Sequence, residues 1–505
     1  MLKVNNLTIK TIKDNRILVN DLSFILNDND KIAIIGEEGV GKSTLLKAIY
    51  DSNLIPHCDI KGNIKIEGTI MYLEQNIIEY WGDYSVYDYF LKEKPDSDFL
   101  DYNLLARIPE ILSKLNISIS DRKMNSFSGG EVVKLGLAKV LLYEPDILIL
   151  DEPSNDLDFQ TIVFLEDFIN NYPHGILYVS HDEALLENTS LSIIHLFCNT
   201  KKHECISTYM NLPYDQYKEF RLNKLSSQRA IALKQRSEYK AKLERFNQIF
   251  NKVAYRQNQC VRDPGAGRLL KKKMKSLKSM EKRFEREKDN FLEIPSFDEE
   301  IEIFFNDDCY IENGKVVLDY YLDRLMINDM TLVKDIRLHL EGPARICIIG
   351  NNGIGKTTLL KDIYQKMALR RDIMVGYMPQ FYDDYLLNHT ALDFLMPDPD
   401  KVLEGKIRKM MGALKFTREE MLNDCIQLSS GQKAILFLLK LVIDNSNVII
   451  LDEPTRNLSP LSIPCIYELL NSYKGTIIAV THDRKFIENR FDYIYELTKD
   501  GLIKQ

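Results

Sequence analysis

Nowhere in this sequence do 18 apolar residues follow one another; the greasiest stretch, "AILFLLKLVIDNSNVIILDEP", is broken by Lys440 and Asp444. A helix that crosses a bilayer needs about that length of unbroken apolar chain, so no membrane span is expected. The opening "MLKVNNLTIKTIKDN" lacks the apolar core of about 7 to 15 residues that a secretory leader carries, and a cytoplasmic chain is expected. Cysteine is scarce, eight in 505 residues, and no two stand as a CxxC pair, which fits a reducing compartment and excludes a standard zinc ribbon. The nearest approach to a metal site is His195, Cys198, His203 and Cys205, but "LSIIHLFCNTKKHECIS" reads as two strands joined at "NTKK". Net charge is −8. A chain this long outgrows one hydrophobic core and divides into roughly two to four domains.

What is present is repetition. "IAIIGEEGVGKSTLLKAIY" at 32–50 returns as "ICIIGNNGIGKTTLLKDIY" at 346–364, an offset of 314. "FSGGEVVKLGLAKVLLYEPDILILDEPSNDLD" at 127–158 returns as "LSSGQKAILFLLKLVIDNSNVIILDEPTRNLS" at 428–459, and "YVSHD" returns as "AVTHD", both at an offset of 301. Two homologous units therefore flank a middle segment, and the boundaries expected are 1–213, 214–292 and 293–505.

Each unit contains G-x-x-x-x-G-K-[ST] between an apolar strand and a helix, the setting of a phosphate-binding loop. Gly36, Gly39 and Gly41, and in the second unit Gly350, Gly353 and Gly355, let backbone N–H groups close around phosphate oxygens at a helix N-terminus. Lys42 and Lys356 would reach the β and γ phosphates, Ser43 and Thr357 would bring hydroxyls to Mg²⁺, and Thr44 and Thr358 would join the ATP-binding residues. The strands "DILILDE" and "NVIILDE" end in paired carboxylates: Asp151 and Asp452 are expected to hold the metal, Glu152 and Glu453 to orient or deprotonate the attacking water.

The phosphate loop, a glutamine (Gln75 in "YLEQN", Gln380 in "YMPQF"), an S-G-G-[EQ]-like signature, the Asp-Glu strand and a "[ST]HD" histidine, in this order and twice, resemble the nucleotide-binding domains of ABC ATPases over about 1–210 and 315–505. The resemblance implies an α/β fold of tandem P-loop domains that bind ATP and Mg²⁺, the latter with Gln75 and Gln380 among its ligands. It also implies composite sites paired head to tail within one monomeric chain. One would join Lys42, Gln75, Asp151, Glu152 and His181 to Ser429, Ser430 and Gly431; the other would join Lys356, Gln380, Asp452, Glu453 and His482 to Ser128, Gly129 and Gly130. His181 and His482 stand with the two glutamates as catalytic residues. Departures are unequal: "LSSGQ" puts Ser430 where the family has glycine, and Asp158 has Ser459 as its counterpart. Neither unit carries an aromatic residue in the obvious place to stack on adenine.

The middle segment separates the possible members. Residues 215–290 contain 22 Lys and Arg against 9 Asp and Glu, a net of +13, while the rest of the chain has a net of −21. Tyr239, Leu243, Phe246, Phe250 and Val253 follow heptad spacing, answered after Pro264-Gly265 by Leu270, Met274, Leu277, Met280 and Phe284. Two antiparallel helices are predicted, about 214–258 and 266–290, roughly 65 Å and 37 Å long, closed by "RDPGAGR". Arg268, Lys271, Lys272, Lys273 and Lys275 line one flank, with Tyr255, Gln257, Asn258 and Arg262 at the tip; such a surface suits nucleic-acid phosphates and unpaired bases.

Two ABC domains joined by a basic helical hairpin resemble the ABC-F family, whose members bind the ribosome near the exit-tRNA site and direct the hairpin toward the peptidyl-transferase centre. Large-subunit rRNA and tRNA are the implied partners. Gln75 to Ser128 spans 53 residues and Gln380 to Ser429 spans 49, leaving no room for the arm that housekeeping members carry in the first domain. The chain runs only 23 residues beyond His482, too few for a C-terminal coiled coil. These features are most similar to the antibiotic-resistance members of Gram-positive bacteria, which protect ribosomes against lincosamides, pleuromutilins and streptogramin A. A housekeeping translation factor of the same family and a tandem ATPase subunit of a transporter are the alternatives.

Overall fold

The computed structural model describes all residues except 14, 38, 75–76, 93–101, 115–121, 128, 156, 200–203, 260–263, 290–304, 306–308, 328–329, 387–388, 397–399, 415, 457, 459, 461–462 and 489. The molecule divides into a larger unit, Met1–Tyr214 with Ile301–Gln505, and a smaller one, Asp215–Glu300.

In the first half of the larger unit, β1 (Leu2–Thr11), β2 (Ile17–Leu26) and β4 (Cys58–Ile66) form an antiparallel sheet in the order β2-β1-β4. A second sheet takes β3 (Lys31–Gly36), β5 (Ile70–Leu73), β6 (Ile147–Asp151), β7 (Gly175–Val179), β8 (Ser192–Asn199) and β9 (Glu204–Met210) in the order β5-β6-β7-β3-β8-β9. β3, β6 and β7 are buried at every position. Continuous apolar runs such as "ILILD" are what parallel strands covered on both faces require. The edge hairpin β8–β9 is antiparallel and sets Cys198 opposite Cys205, and Cys205 is disulfide-bonded. The sequence pattern predicted the two strands but not a disulfide. His203 lies outside the described residues, and no metal-type cluster occurs among the described ones.

The second half repeats the plan. β10 (Lys315–Ile327) pairs with β11 (Met330–Gly342), and β12 (Arg345–Ile349), β13 (Val375–Met378), β14 (Val448–Asp452), β15 (Thr476–Val480), β16 (Tyr493–Thr498) and β17 (Gly501–Lys504) run in the order β13-β14-β15-β12-β16-β17. Strand for strand this is the order of the first half, as the repeats imply. A matching device closes the bottom of each sheet. Lys31 Nζ donates to Tyr172 O (2.8 Å) and His174 O (2.9 Å), and Arg345 Nη2 donates to Asn471 O (3.1 Å) and Tyr473 O (2.7 Å). A cation thus satisfies carbonyls left over at a helix C-terminal end.

The smaller unit is a helical hairpin, α5 (Tyr214–Gln259) and α6 (Pro264–Asp289). Phe246, Val253 and Leu277 are buried together, with Phe250, Met274 and Phe284 packed against them; Phe284 meets Tyr239 at 6.2 Å and Phe246 at 5.7 Å, both edge-on. Most of the predicted seam is present, with two corrections. Leu243 and Met280 are exposed. Pro264 does not break the chain in mid-turn; it opens α6, where its missing N–H costs nothing. The side chain of Leu270 lies outside the described residues. No helix among the described residues is long and apolar enough to cross a membrane.

Candidate functional site

Each phosphate loop leaves the C-terminal end of a central strand and enters a helix, α1 (Lys42–Tyr50) after β3 and α7 (Lys356–Ala368) after β12. Open α/β sheets bind ligands at this end. Gly41 and Gly355 cap the two helices with φ of 104° and 102°, and a Cβ there would stand 3.0 Å from Leu18 and 2.8 Å from Leu325. Only glycine fits both the conformation and the space. Lys42 Nζ donates to Gly36 O (2.9 Å) and Glu37 O (3.2 Å); Lys356 Nζ donates to Gly350 O (2.6 Å) and Asn351 O (3.1 Å). Both lysines are buried and held over their own loops. Gly39 and Gly353, with φ of 73° and 77°, and Thr44 and Thr358, in the first helical turn, complete the loops.

The acidic pairs end β6 and β14 beside these loops. Ser43 Oγ donates to Asp151 Oδ1 (3.0 Å) and Tyr72 OH to Asp151 Oδ2 (2.8 Å). In the second half Thr357 and Tyr377 neighbour the buried Asp452, neither of whose carboxylate oxygens has a hydrogen-bond partner among the described residues. Burial pushes both aspartates above the ordinary carboxylate range. A buried, under-satisfied carboxylate beside a hydroxyl and a phosphate loop has the chemistry of a hard-cation ligand set. Tyr72 and Tyr377 were not singled out from the sequence, although the same tyrosine opens both "YLEQN" and "YMPQF". Gln380 lies at the cavity described below; Gln75 lies outside the described residues.

Glu152 and Glu453 adopt φ of 50° and 52°, a left-handed conformation uncommon for residues with a Cβ and frequent at functional sites. Their surroundings differ. His181 Nε2 lies 2.9 Å from Glu152 Oε1, whereas His482 Nε2 is 3.7 Å from Glu453 Oε1 and the His482 backbone N–H reaches Glu453 Oε2 at 3.3 Å. Burial works against the charged form of Glu152, but His181 and Lys42 outweigh it and hold the carboxyl below its usual range. Burial, with Asp452 beside it, pushes Glu453 up to about 8 against the pull of Lys356. Burial and Lys356 together bring His482 down to about 4.

The site around Lys356 is composite. A cavity of about 450 Å³ is lined from the second half by Asn352, Lys356, Thr357, Gln380, Asp452, Glu453, Arg456 and His482, and from the first half by Gly129, Ser154, Asn155, Leu157, His181 and Asp182. Asp158, which caps α3 (Phe159–Asn171) by accepting from Thr161 N at 2.9 Å, acts electrostatically on both Lys356 and His482 across the interface. Gly129 and Gly130 open α2 (Gly129–Tyr143), with Ser128 outside the described residues. Ser429 caps α8 (Ser430–Ile443) in a capping box with Gln432, which donates to Glu420 Oε1 at 2.9 Å. Ser430 is the first residue of that helix and Gly431 the second, so Ser430 sits in helical backbone that takes a side chain without strain. Ser459 lies outside the described residues.

On the hairpin, Tyr255 is 66% exposed, and Arg268, Lys271, Lys272, Lys273 and Lys275 are all exposed. Arg262 and the side chains of Gln257 and Asn258 lie outside the described residues.

Comparison with known proteins agrees with this geometry. The ABC transporter family matches residues 19–155 and 333–456, which together make up more than half the chain. Ribosome protection protein VmlR of Bacillus subtilis is 28% identical over 95% of this chain and 84% of its own length, and ABC transporter F family member 2 of Arabidopsis thaliana is 26% identical over 96% and 75%. ATP-binding protein Uup of Escherichia coli is 28% identical over 94% and 76%. Among solved structures, RNase-L Inhibitor superposes with a TM-score of 0.58 over 99% of this chain and 90% of that one, at 17% identity, a likeness of fold. With two phosphate loops, two Asp-Glu strands and a cavity assembled from both halves, the chain belongs to the ABC transporter family, in its ABC-F branch, and is an ATP hydrolase.

Proposed function

We propose that this ATPase binds the ribosome and uses its basic hairpin to act on the peptidyl-transferase centre, protecting translation from antibiotics that occupy it. The observation that carries this reading is the confinement of positive charge. A net of +13 is concentrated in residues 215–290 of an otherwise acidic chain, and the described lysines of its second arm point to solvent. A surface of this kind gains affinity for rRNA and tRNA phosphates by releasing counterions. The likeness to VmlR over 84% of that protein supports protection in particular.

In this reading ATP lies between the halves, cradled by one phosphate loop and covered by the signature helix of the other, so that nucleotide closes the clamp and hydrolysis releases it. Ser43 and Asp151, and Thr357 and Asp452, with Gln75 and Gln380, would hold Mg²⁺, which offsets phosphate charge. Glu152 and Glu453 orient the water, and His181 and His482 set those carboxylates. The protein works in the cytoplasm as a monomer, its two halves paired within one chain.

The test has two arms. Changing Lys271, Lys272, Lys273 and Lys275 to Gln should weaken ribosome pelleting and reduce the slope of log affinity against log salt by up to about 3, with ATPase activity of the free protein kept. Expression of the wild type in a sensitive strain should raise tolerance to drugs of the lincosamide, pleuromutilin and streptogramin A type, and a Tyr255→Ala tip variant should lose that tolerance while still pelleting. Unchanged binding and slope in the lysine variant would remove the RNA role. Ribosome binding without altered susceptibility would favour a housekeeping factor instead.

A further inference from the structure

The helix that follows each histidine carries opposite charge in the two halves. At the 301 offset, Glu183 of α4 (Glu183–Thr189) corresponds to Arg484 of α10 (Arg484–Ile487), and Glu166 of α3 corresponds to Tyr467 of α9 (Ile463–Ser472). These faces meet across the interface of the halves. The Arg484 guanidinium forks onto Glu166, Nη2 on Oε1 and Nη1 3.3 Å from Oε2. Lys485 Nζ binds Glu187 and lies 3.6 Å from Glu183 Oε1. Glu183 and Glu166 are 3% and 10% exposed in their side chains, so these pairs are largely shielded from solvent, where salt screens them less than surface pairs.

The surroundings hold the cluster in place. Asn188 Nδ2 donates to Glu166 Oε1 at 3.2 Å, and the Arg484 guanidinium stands 5.4 Å over the Phe159 ring. On the other side Tyr467 OH donates to Asp483 Oδ2 at 2.7 Å, and its ring stacks on Phe486. Asp483, the neighbour of His482, caps α10 through Phe486 N, and Asp182, the neighbour of His181, caps α4 through Leu185 N. The two aspartates repel each other across the interface, and Arg484 offsets that repulsion.

We propose that Arg484 and Lys485, with Glu166, Glu183 and Glu187, form a charge-keyed latch that matches the first half to the second and, through Asp483, positions His482 over Glu453. Two first halves brought together would set these carboxylates against their own kind, with none of the latch's cations between them. Two second halves would offer Tyr467 to Arg484 where Glu166 is needed. Only the unlike pairing satisfies the fork, whose bidentate geometry adds direction to attraction. The internal duplication thus carries its own rule against pairing between copies. Arg484 and Lys485 are not among the residues that line the cavity; they are positioning residues.

The proposal rests on ATP hydrolysis alone and not on any role at the ribosome. Three full-length variants test it: Arg484→Glu, Glu166→Arg, and the two reversals combined. Each single reversal should lower kcat about tenfold or more, since like charges facing at a largely buried contact disturb the pairing of the two halves on which the ATP sites of both depend. The combined variant, which restores opposite charges with their places exchanged, should recover kcat to within about threefold of wild type. A role in packing alone would make the losses accumulate. The combined variant decides the matter even where a single reversal fails to fold. Wild-type kcat in a soluble, folded single reversal, or no recovery in the combined variant, would overturn the latch.

Discussion

The ATP sites of the two halves should contribute unequally to turnover, and single replacements of the glutamates measure the imbalance. Were the sites equivalent and independent, Glu152→Gln and Glu453→Gln would each leave about half of the wild-type rate, because a lost general base costs its own site roughly a hundredfold or more. The structure argues otherwise. Glu152 is ionised at neutral pH, held by His181 at 2.9 Å. Glu453 lies 3.7 Å from its histidine and its carboxyl is pushed up to about 8, so at pH 7 only about a tenth of it is the carboxylate a base must be. Glutamine resembles the protonated acid, so Glu453→Gln changes a residue already largely in that form. At saturating ATP and pH 7, phosphate release should therefore fall about tenfold in Glu152→Gln and by less than half in Glu453→Gln. The sign of the pH dependence follows: what remains in Glu152→Gln should rise as pH increases from about 7 toward 9, as Glu453 ionises, while Glu453→Gln should be flat over that range. Equal rates for the two variants, or a residual activity in Glu152→Gln that falls with pH, would refute the reasoning.

Much of this could be read before any coordinates, and the reason is the duplication. A motif that occurs once is ambiguous; Lys42 and Lys356, Asp151 and Asp452, each in the same strand-loop-helix setting, exclude a chance turn. The central strands were legible because runs such as "KIAIIG" and "ILILD" are continuously apolar, as a sheet covered on both faces requires; their order in the sheet was not. What the pattern did not carry lies in three dimensions and not along the chain. The forked pair of Arg484 with Glu166 joins residues 318 apart, and nothing local marks either as a partner. Tyr72 and Tyr377 are ordinary strand tyrosines by propensity, and only the fold brings one to each of Asp151 and Asp452. The seam of the hairpin was legible as a period, yet a period does not say which of its positions reach the interior, and Leu243 and Met280 lie exposed.

Three further outcomes are expected. Replacing Glu152 and Glu453 together by Gln should reduce ATP hydrolysis about a hundredfold or more while a fluorescent ATP analogue still binds; near wild-type hydrolysis would show that neither glutamate is the base. Gly355→Ala asks a residue with a Cβ to hold φ 102° with 2.8 Å to Leu325, a strain of about 1–3 kcal/mol, and should weaken ATP affinity about tenfold; unchanged affinity by titration would mean that the loop tolerates a different backbone. The last concerns Lys31, whose ammonium is brought down to about 8 by burial, with Asp30 opposing. Between about 8 and its unfolded value of 10.5, the unfolded chain binds a proton that the native one does not, so stability should rise with pH through that window. The two carbonyls that accept from the ammonium favour its charged form and limit the gain to about 1–2 kcal/mol. Lys31→Arg keeps a cation for the carbonyls of Tyr172 and His174, as Arg345 does in the second half, and stays charged throughout, so it should lack the gain. Melting temperatures of both proteins at pH 8 and pH 10 read the difference, and a wild type that gains no more than Lys31→Arg would mean that the lysine keeps its proton in the fold.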